Sequence, residues 1–191
     1  MTDNIYAAPS ANLDEHLDVN VENRFYVVST RKLLVLYFIT IGLYHLYWNY
    51  KNWALHNRAT GEGVWPVPRA IFSVFFTHSL FQNVARHDLT HERAEWNAGR
   101  MATLMVILVF AGNAMERLAS KGLGSPITDL ISIALLLPTG LLLKKVQAEI
   151  NARCGDPDGS SNASFSAANI AWCVAGAVYW ALLFLGYFYP A

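Results

Sequence analysis

The sequence predicts an all-α, polytopic transmembrane helical bundle, and three observations predict it. Of 191 residues, 54% are hydrophobic and only 15% charged, more apolar and less charged than a soluble domain of this size. The apolar residues fall into five segments separated by charged or Gly/Pro-rich stretches. The first, between Lys32 and Lys51, holds eighteen uncharged residues, fourteen of them apolar or aromatic. As a helix rising ~1.5 Å per residue it covers ~27 Å, close to the ~30 Å hydrocarbon core of a bilayer.

Residues 1–31 read as a polar N-terminal tail and 32–191 as the transmembrane domain, with spans at about 33–53, 69–86, 99–119, 126–147 and 167–189. The tail carries scattered acids, no basic start and no apolar core, unlike a signal peptide. The first span is aliphatic at one end and aromatic at the other. Tyr44, Tyr47, Trp48, Tyr50 and Trp53 are therefore expected as interface anchors, since amphipathic rings favour the headgroup region. Thr40-x-Gly42-x-Tyr44-x-x-Tyr47-Trp48-x-Tyr50-Lys51-Asn52-Trp53, with Phe25–Ser29 before it and Arg69–Ser73 after it, resembles a family of small bacterial inner-membrane proteins classed as a domain of unknown function. The resemblance covers about Phe25 to Phe81 and implies a bacterial membrane location, with no activity attached.

The second segment, Ala70–Ala85, is interrupted by Ser73, Thr77, His78, Ser79, Gln82 and Asn83. On a helical wheel its phenylalanines and polar residues fall on all sides, which predicts a short span or a re-entrant helix rather than an interfacial one. Arg86–Arg100 is densely charged and belongs in water or at the lipid surface, and Met101–Met115 is a charge-free third span. Ser125-Pro126 reads as a helix start, Ser as N-cap and Pro at the first position. From there a helix runs past Lys144-Lys145 to a stop at Gly155, projecting beyond the bilayer. After the linker 156–164, Ala167–Tyr189 forms the last span, where Ala171, Ala175, Gly176, Ala177 and Ala181 suit close helix packing. Cys154 in a loop and Cys173 in a span are expected as reduced thiols.

Five spans with the N-terminus inside divide Lys and Arg nine to five, inside over outside. Four spans give the same division with the tail outside. Both place loops 86–100 and 144–166 in the cytoplasm and the C-terminus in the periplasm, in a multi-pass protein of the bacterial inner membrane.

Net charge is zero and no zinc-finger or nucleic-acid motif occurs, which removes nucleic acid as a partner. No nucleophile elbow, phosphate loop or Cys/His zinc pattern is present, so no catalytic residue and no cofactor is expected. His87 and His91 at i, i+4, with Glu95 nearby, form a candidate metal set, a pattern that a solvated helix also produces. His45, His78 and Asp129 are ionisable residues at membrane depth, candidates for a transport path. Each also has a structural reading: His45 near the interface, His78 bonded to a neighbouring hydroxyl, Asp129 favoured by a helix N-terminus. The sequence thus predicts an accessory or assembly component packing against lipid, other membrane proteins or itself, with a small transporter or channel as the alternative.

Overall fold

The computed structural model describes residues 24–87 and 96–188, and among them it is all-helical. A non-helical entry segment, Phe25–Val28, leads into α1 (Thr30–Ile39), capped by Ser29, whose hydroxyl accepts the Lys32 N–H. The continuous helix expected over 33–53 is instead broken. Ile41 and Gly42 both take positive φ, 52° and 83°, and α2 (Tyr44–Thr60) starts on the other side of them. The Gly42 N–H returns to Tyr37 O (2.8 Å) and the Ile41 N–H to Phe38 O (3.1 Å), closing α1 with a Schellman turn. Thr40 serves both helices: its hydroxyl donates to Leu36 O (2.7 Å) and accepts the Tyr44 N–H (3.0 Å).

The break reverses the chain. Val28 is bonded to Asn151, Gly42 lies beside Leu136 and Trp48 is bonded to Gln147, all on the long helix α6 (Ile127–Arg153). The chain therefore climbs beside α6 from 151 to 136 and comes back down to 147, a hairpin with its apex at Ile41-Gly42.

The second expected segment also divides, into α3 (Pro66–Ile71) and α4 (Ser73–Arg86), with Phe72 at the joint. The even wheel expected for it is corrected. Ser73, Thr77, Leu80, Phe81 and Val84 form one buried face at helical spacing, while Phe75, His78, Ser79 and Gln82 are exposed. Small hydroxyl residues share this buried face because Thr77 satisfies itself on Ser73 O (2.8 Å).

The remaining helices keep close to their expected bounds. α5 (Ala98–Ala119) starts at Asn97, whose side chain accepts the Arg100 N–H (2.9 Å). α6 begins one residue after Pro126 without the expected Ser125 side-chain cap, runs through Pro138, and ends before Gly155. α7 (Ala167–Phe188) follows a short 3₁₀ turn, Ser160–Asn162. Three helices, Ala98–Ala119, Ile127–Arg153 and Ala167–Gly186, are long and apolar enough to cross a bilayer, and they point to a membrane protein.

The core sits at one end of the α5–α6 pair. The entry segment, α1, α2, α4, the first turns of α5 and Thr139–Cys154 of α6 bury Trp48, Trp53, Phe25, Phe81, Leu143 and Ile150. Beyond that end, α5 exposes Ile107 and Phe110, and α6 exposes Ile127, Leu130 and Leu137. α7 docks on α1: the Trp180 indole donates to Phe38 O (3.1 Å), and Gly176 lies against the backbone of Ile39. Of the small residues expected to pack closely, Gly176 makes this contact, whereas Ala171, Ala175, Ala177 and Ala181 are exposed. A Cβ at 176 would collide with the Ile39 carbonyl oxygen, whereas one at Gly186 would meet nothing within 4 Å. Gly176→Val should therefore cost about 1–3 kcal/mol of stability in detergent denaturation, and Gly186→Val should be near neutral.

Candidate functional site

The densest polar cluster surrounds the entry segment. Phe25, Tyr26, Val27 and Val28 are buried outside any helix, and among the described residues there is no strand to pair with them. Their backbone groups must find partners or lose the hydrogen bonds they made to water. Side-chain amides supply them. Asn52 of α2 accepts the Tyr26 N–H (3.0 Å), and Gln147 of α6 donates to Tyr26 O (2.8 Å). Asn151 takes both groups of Val28, accepting its N–H (3.3 Å) and donating to its carbonyl (2.9 Å), as a facing strand would. Asn162 donates to Val27 O (2.9 Å). The amides are themselves tied together: the Trp48 indole N–H donates to Gln147, and Gln147 donates to Asn151 (2.6 Å).

Asn162 also accepts from the buried Lys32 ammonium (2.7 Å), which donates in addition to Ser164 O (2.7 Å). Neutral acceptors thus hold this cation and bind the 3₁₀ turn to the base of α1. The turn is ordered by Asp156, whose carboxylate accepts the Ser160 and Ser161 N–H groups (both 2.9 Å). Those bonds lower its pKa to about 2.

A second cluster centres on His56, which is fully buried, stacked on Phe25 (5.5 Å) and edge-on to Trp53 (5.7 Å). Arg24 donates to its Nδ1 (3.4 Å), and its Nε2 lies 3.3 Å from the Glu62 carboxylate and 3.2 Å from the Asn83 amide nitrogen. Burial lowers the His56 pKa, Glu62 opposes that, and Arg24 and Arg69 reinforce it. Arg69 lies flat over the Trp53 indole (4.2 Å) and against Phe76 (5.1 Å). Arg153, buried at the end of α6, donates to Ala85 O (3.0 Å) and ties α4 to α6. Burial raises the Cys154 thiol to about 11, so it is no reactive thiolate, and Cys173 is likewise free.

Three of the five expected interface anchors are core side chains. Trp48 and Trp53 are fully buried and Tyr44 is buried with its hydroxyl on that of Tyr26 (3.2 Å), so none of the three meets headgroups. Tyr47 and Tyr50 are exposed. Of the expected transport residues, His45 stacks on Trp48 (5.9 Å) and pairs with Asn49 (3.1 Å), and His78 pairs with Thr103 (3.1 Å). Asp129 lies in the first turn of α6, ~27 Å along the helix from Gln147 at ~1.5 Å per residue. No described hydrogen bond joins any of the three to another. His87 lies edge-on to Phe25 (5.6 Å), while His91 and Glu95 lie outside the described residues. Among the described residues no three His, Cys, Asp or Glu side chains gather into a metal-binding group. An open recess of about 510 Å³ between Asn57 and Pro68 is lined by Val64, Trp65, Pro66 and their neighbours, none of them titratable.

Sequence reasoning passed over Asn52, His56, Gln147, Asn151 and Asn162. The available signal was an amide pair at i, i+4, Gln147 and Asn151, each directly following a buried aliphatic residue, Val146 and Ile150. No family model matches the chain, nor does any curated protein or solved structure.

Asn151→Leu strands both backbone groups of Val28 and should cost about 2–6 kcal/mol of stability, at about 1–3 kcal/mol per unsatisfied group. Asn52→Leu strands only the Tyr26 N–H and should cost about half as much; chemical denaturation in detergent checks the order. For His56 the folded pKa lies below the unfolded value of about 6.5, so the unfolded chain binds more protons just below that pH. Its contribution to stability is complete above about 6.5 and is lost as pH falls toward the folded value. Stability of His56→Gln measured from pH 7.5 to 5 should show a shallower acid decline than the parent.

Proposed function

We propose that the chain is a non-catalytic accessory component of the bacterial inner membrane. In this reading three helices cross, and the α1–α2 hairpin enters from the cytoplasmic face without crossing. One observation carries it: the buried amides spend their hydrogen bonds on the chain's own backbone and on each other, while α5, α6 and α7 leave apolar side chains bare beyond the core. A transport path needs polar groups in file through the bilayer, and His45, His78 and Asp129 are not in file. The bare apolar helices suit lipid and the helices of partner proteins or of a second copy. The bacterial location rests on the resemblance of the Thr40–Trp53 motif.

Lys and Arg placement supports three spans over five. With only α5, α6 and α7 crossing, all but Arg117 and Lys121 of the 14 Lys and Arg fall on one side. That is a stronger bias than nine to five, and it makes the packed end cytoplasmic. Exposed Arg100 and Lys144 then mark the inner face, and the hairpin apex beside Leu136 reaches ~12 Å beyond Lys144 at ~1.5 Å per residue.

The two topologies differ at Glu62, cytoplasmic with three spans and periplasmic with five. In a Cys173→Ala background, a membrane-impermeant thiol reagent added to intact cells should label Lys121→Cys and spare Glu62→Cys and Asp158→Cys until the membrane is opened. Labelling of Glu62→Cys from outside would restore the five-span arrangement. For the accessory role, a photo-crosslinker at exposed Leu182 should give one discrete protein adduct. Flux through liposomes holding the purified chain, abolished by His78→Ala, would overturn that role.

A further inference from the structure

We infer that the α3–α4 elbow is a further membrane contact, in which Ile71, Phe72 and Phe75 enter the cytoplasmic leaflet and lipid is the partner. The inference rests on the three-span reading. Phe75 is 78% exposed, and Ile71 and Phe72 are each 57% exposed, a concentration of bare apolar surface that water would not favour.

The level of the elbow follows from its contacts. α4 packs on α5, with His78 on Thr103 (3.1 Å) and Phe81 tilted on Trp96 (5.6 Å). Because α4 rises in number as α5 falls, Ser73–Phe75 lies beside the turn that follows Thr103. There α5 itself exposes Leu104, Ile107 and Phe110, the beginning of its bare stretch. The elbow thus continues the same apolar surface one to two turns inside the level of Arg100.

The exposed face of α4 changes character along its length, from Phe72 and Phe75 to Ser79, Gln82 and Arg86. A helix descending from hydrocarbon through headgroups to water needs this gradient, whereas a protein partner seated along the helix would not impose it. The sequence has no Asp or Glu between Glu62 and Asp88, so no carboxylate of this stretch is brought to the lipid. Arg69, the cation nearest the elbow in sequence, holds its guanidinium over the rings of Trp53 (4.2 Å) and Phe76 (5.1 Å).

Nitroxide labels at Phe75→Cys, Gln82→Cys and Phe110→Cys, each in full-length Cys173→Ala protein in phosphatidylethanolamine/phosphatidylglycerol vesicles, test this. The readout is collision with oxygen, which concentrates in lipid, against a water-soluble nickel chelate. The oxygen-to-nickel ratio should be several-fold higher at Phe75 than at Gln82, and closer to that at Phe110. A Phe75 ratio equal to that of Gln82, with Phe110 still high, would overturn the elbow contact and leave the membrane reading intact. Protection of Phe75 from both reagents would also overturn it, by placing a protein on the patch. A low ratio at Phe110 would instead remove the span assignment on which the inference stands.

Discussion

The hydrogen bonds between the backbone of Tyr26–Val28 and the side-chain amides of Asn52, Gln147, Asn151 and Asn162 are the constraint on which the rest of the structure depends. A helix satisfies its own backbone, but a non-helical segment in a helical interior cannot, and each buried peptide group left unpaired there costs about 1–3 kcal/mol. Here α2 contributes one partner, α6 two and the 3₁₀ turn one, so the segment holds its surroundings in register as much as they hold it. Gln147 links both sides, accepting from Trp48 of α2 while donating to Tyr26 and Asn151. Loss of any one amide would loosen elements far apart in sequence.

That clasp fixes the base of the α1–α2 hairpin, and close contacts fix its apex. Gly140 sits where a Cβ would approach the Phe38 ring to 2.8 Å, and Gly176 lies against Ile39, so α6 and α7 admit α1 at backbone distance. The molecule is thereby divided by solvent chemistry. At one end polar and apolar side chains pack together as in a water-soluble protein, and at the other the helices present aliphatic and aromatic side chains outward.

The sequence makes the long helices legible because each combines an apolar run of membrane length with a break in composition at its ends. The hairpin is not legible in the same way. Hydropathy over Leu33–Tyr50 is the same whether the chain crosses or turns back, and only Gly42 hints at the reversal; Ile41, in a left-handed conformation that costs an L-residue about 1–2 kcal/mol, carries no local signal of it. Aromatic clustering is ambiguous for the same reason. Trp48 and Trp53 have the composition of headgroup anchors, yet their indoles face α6 and Arg69. Gln147 and Asn151 followed Lys144-Lys145 and so read as part of a solvated extension, although Val146 and Ile150 beside them are fully buried. On α4, Ser73 and Thr77 hid the buried face because a hydropathy wheel scores a self-satisfied hydroxyl as polar.

A buried, non-helical segment whose backbone is paired with side chains should be shielded from solvent exchange. Amide hydrogen exchange in lipid nanodiscs, followed on peptides covering residues 24–30, tests it most directly. The clasp predicts that the Tyr26 and Val28 amides exchange as slowly as those of the buried half of α6, from Leu142 to Ile150. Exchange of the 24–30 amides at the rate of an unstructured chain, with α6 still protected, would contradict it.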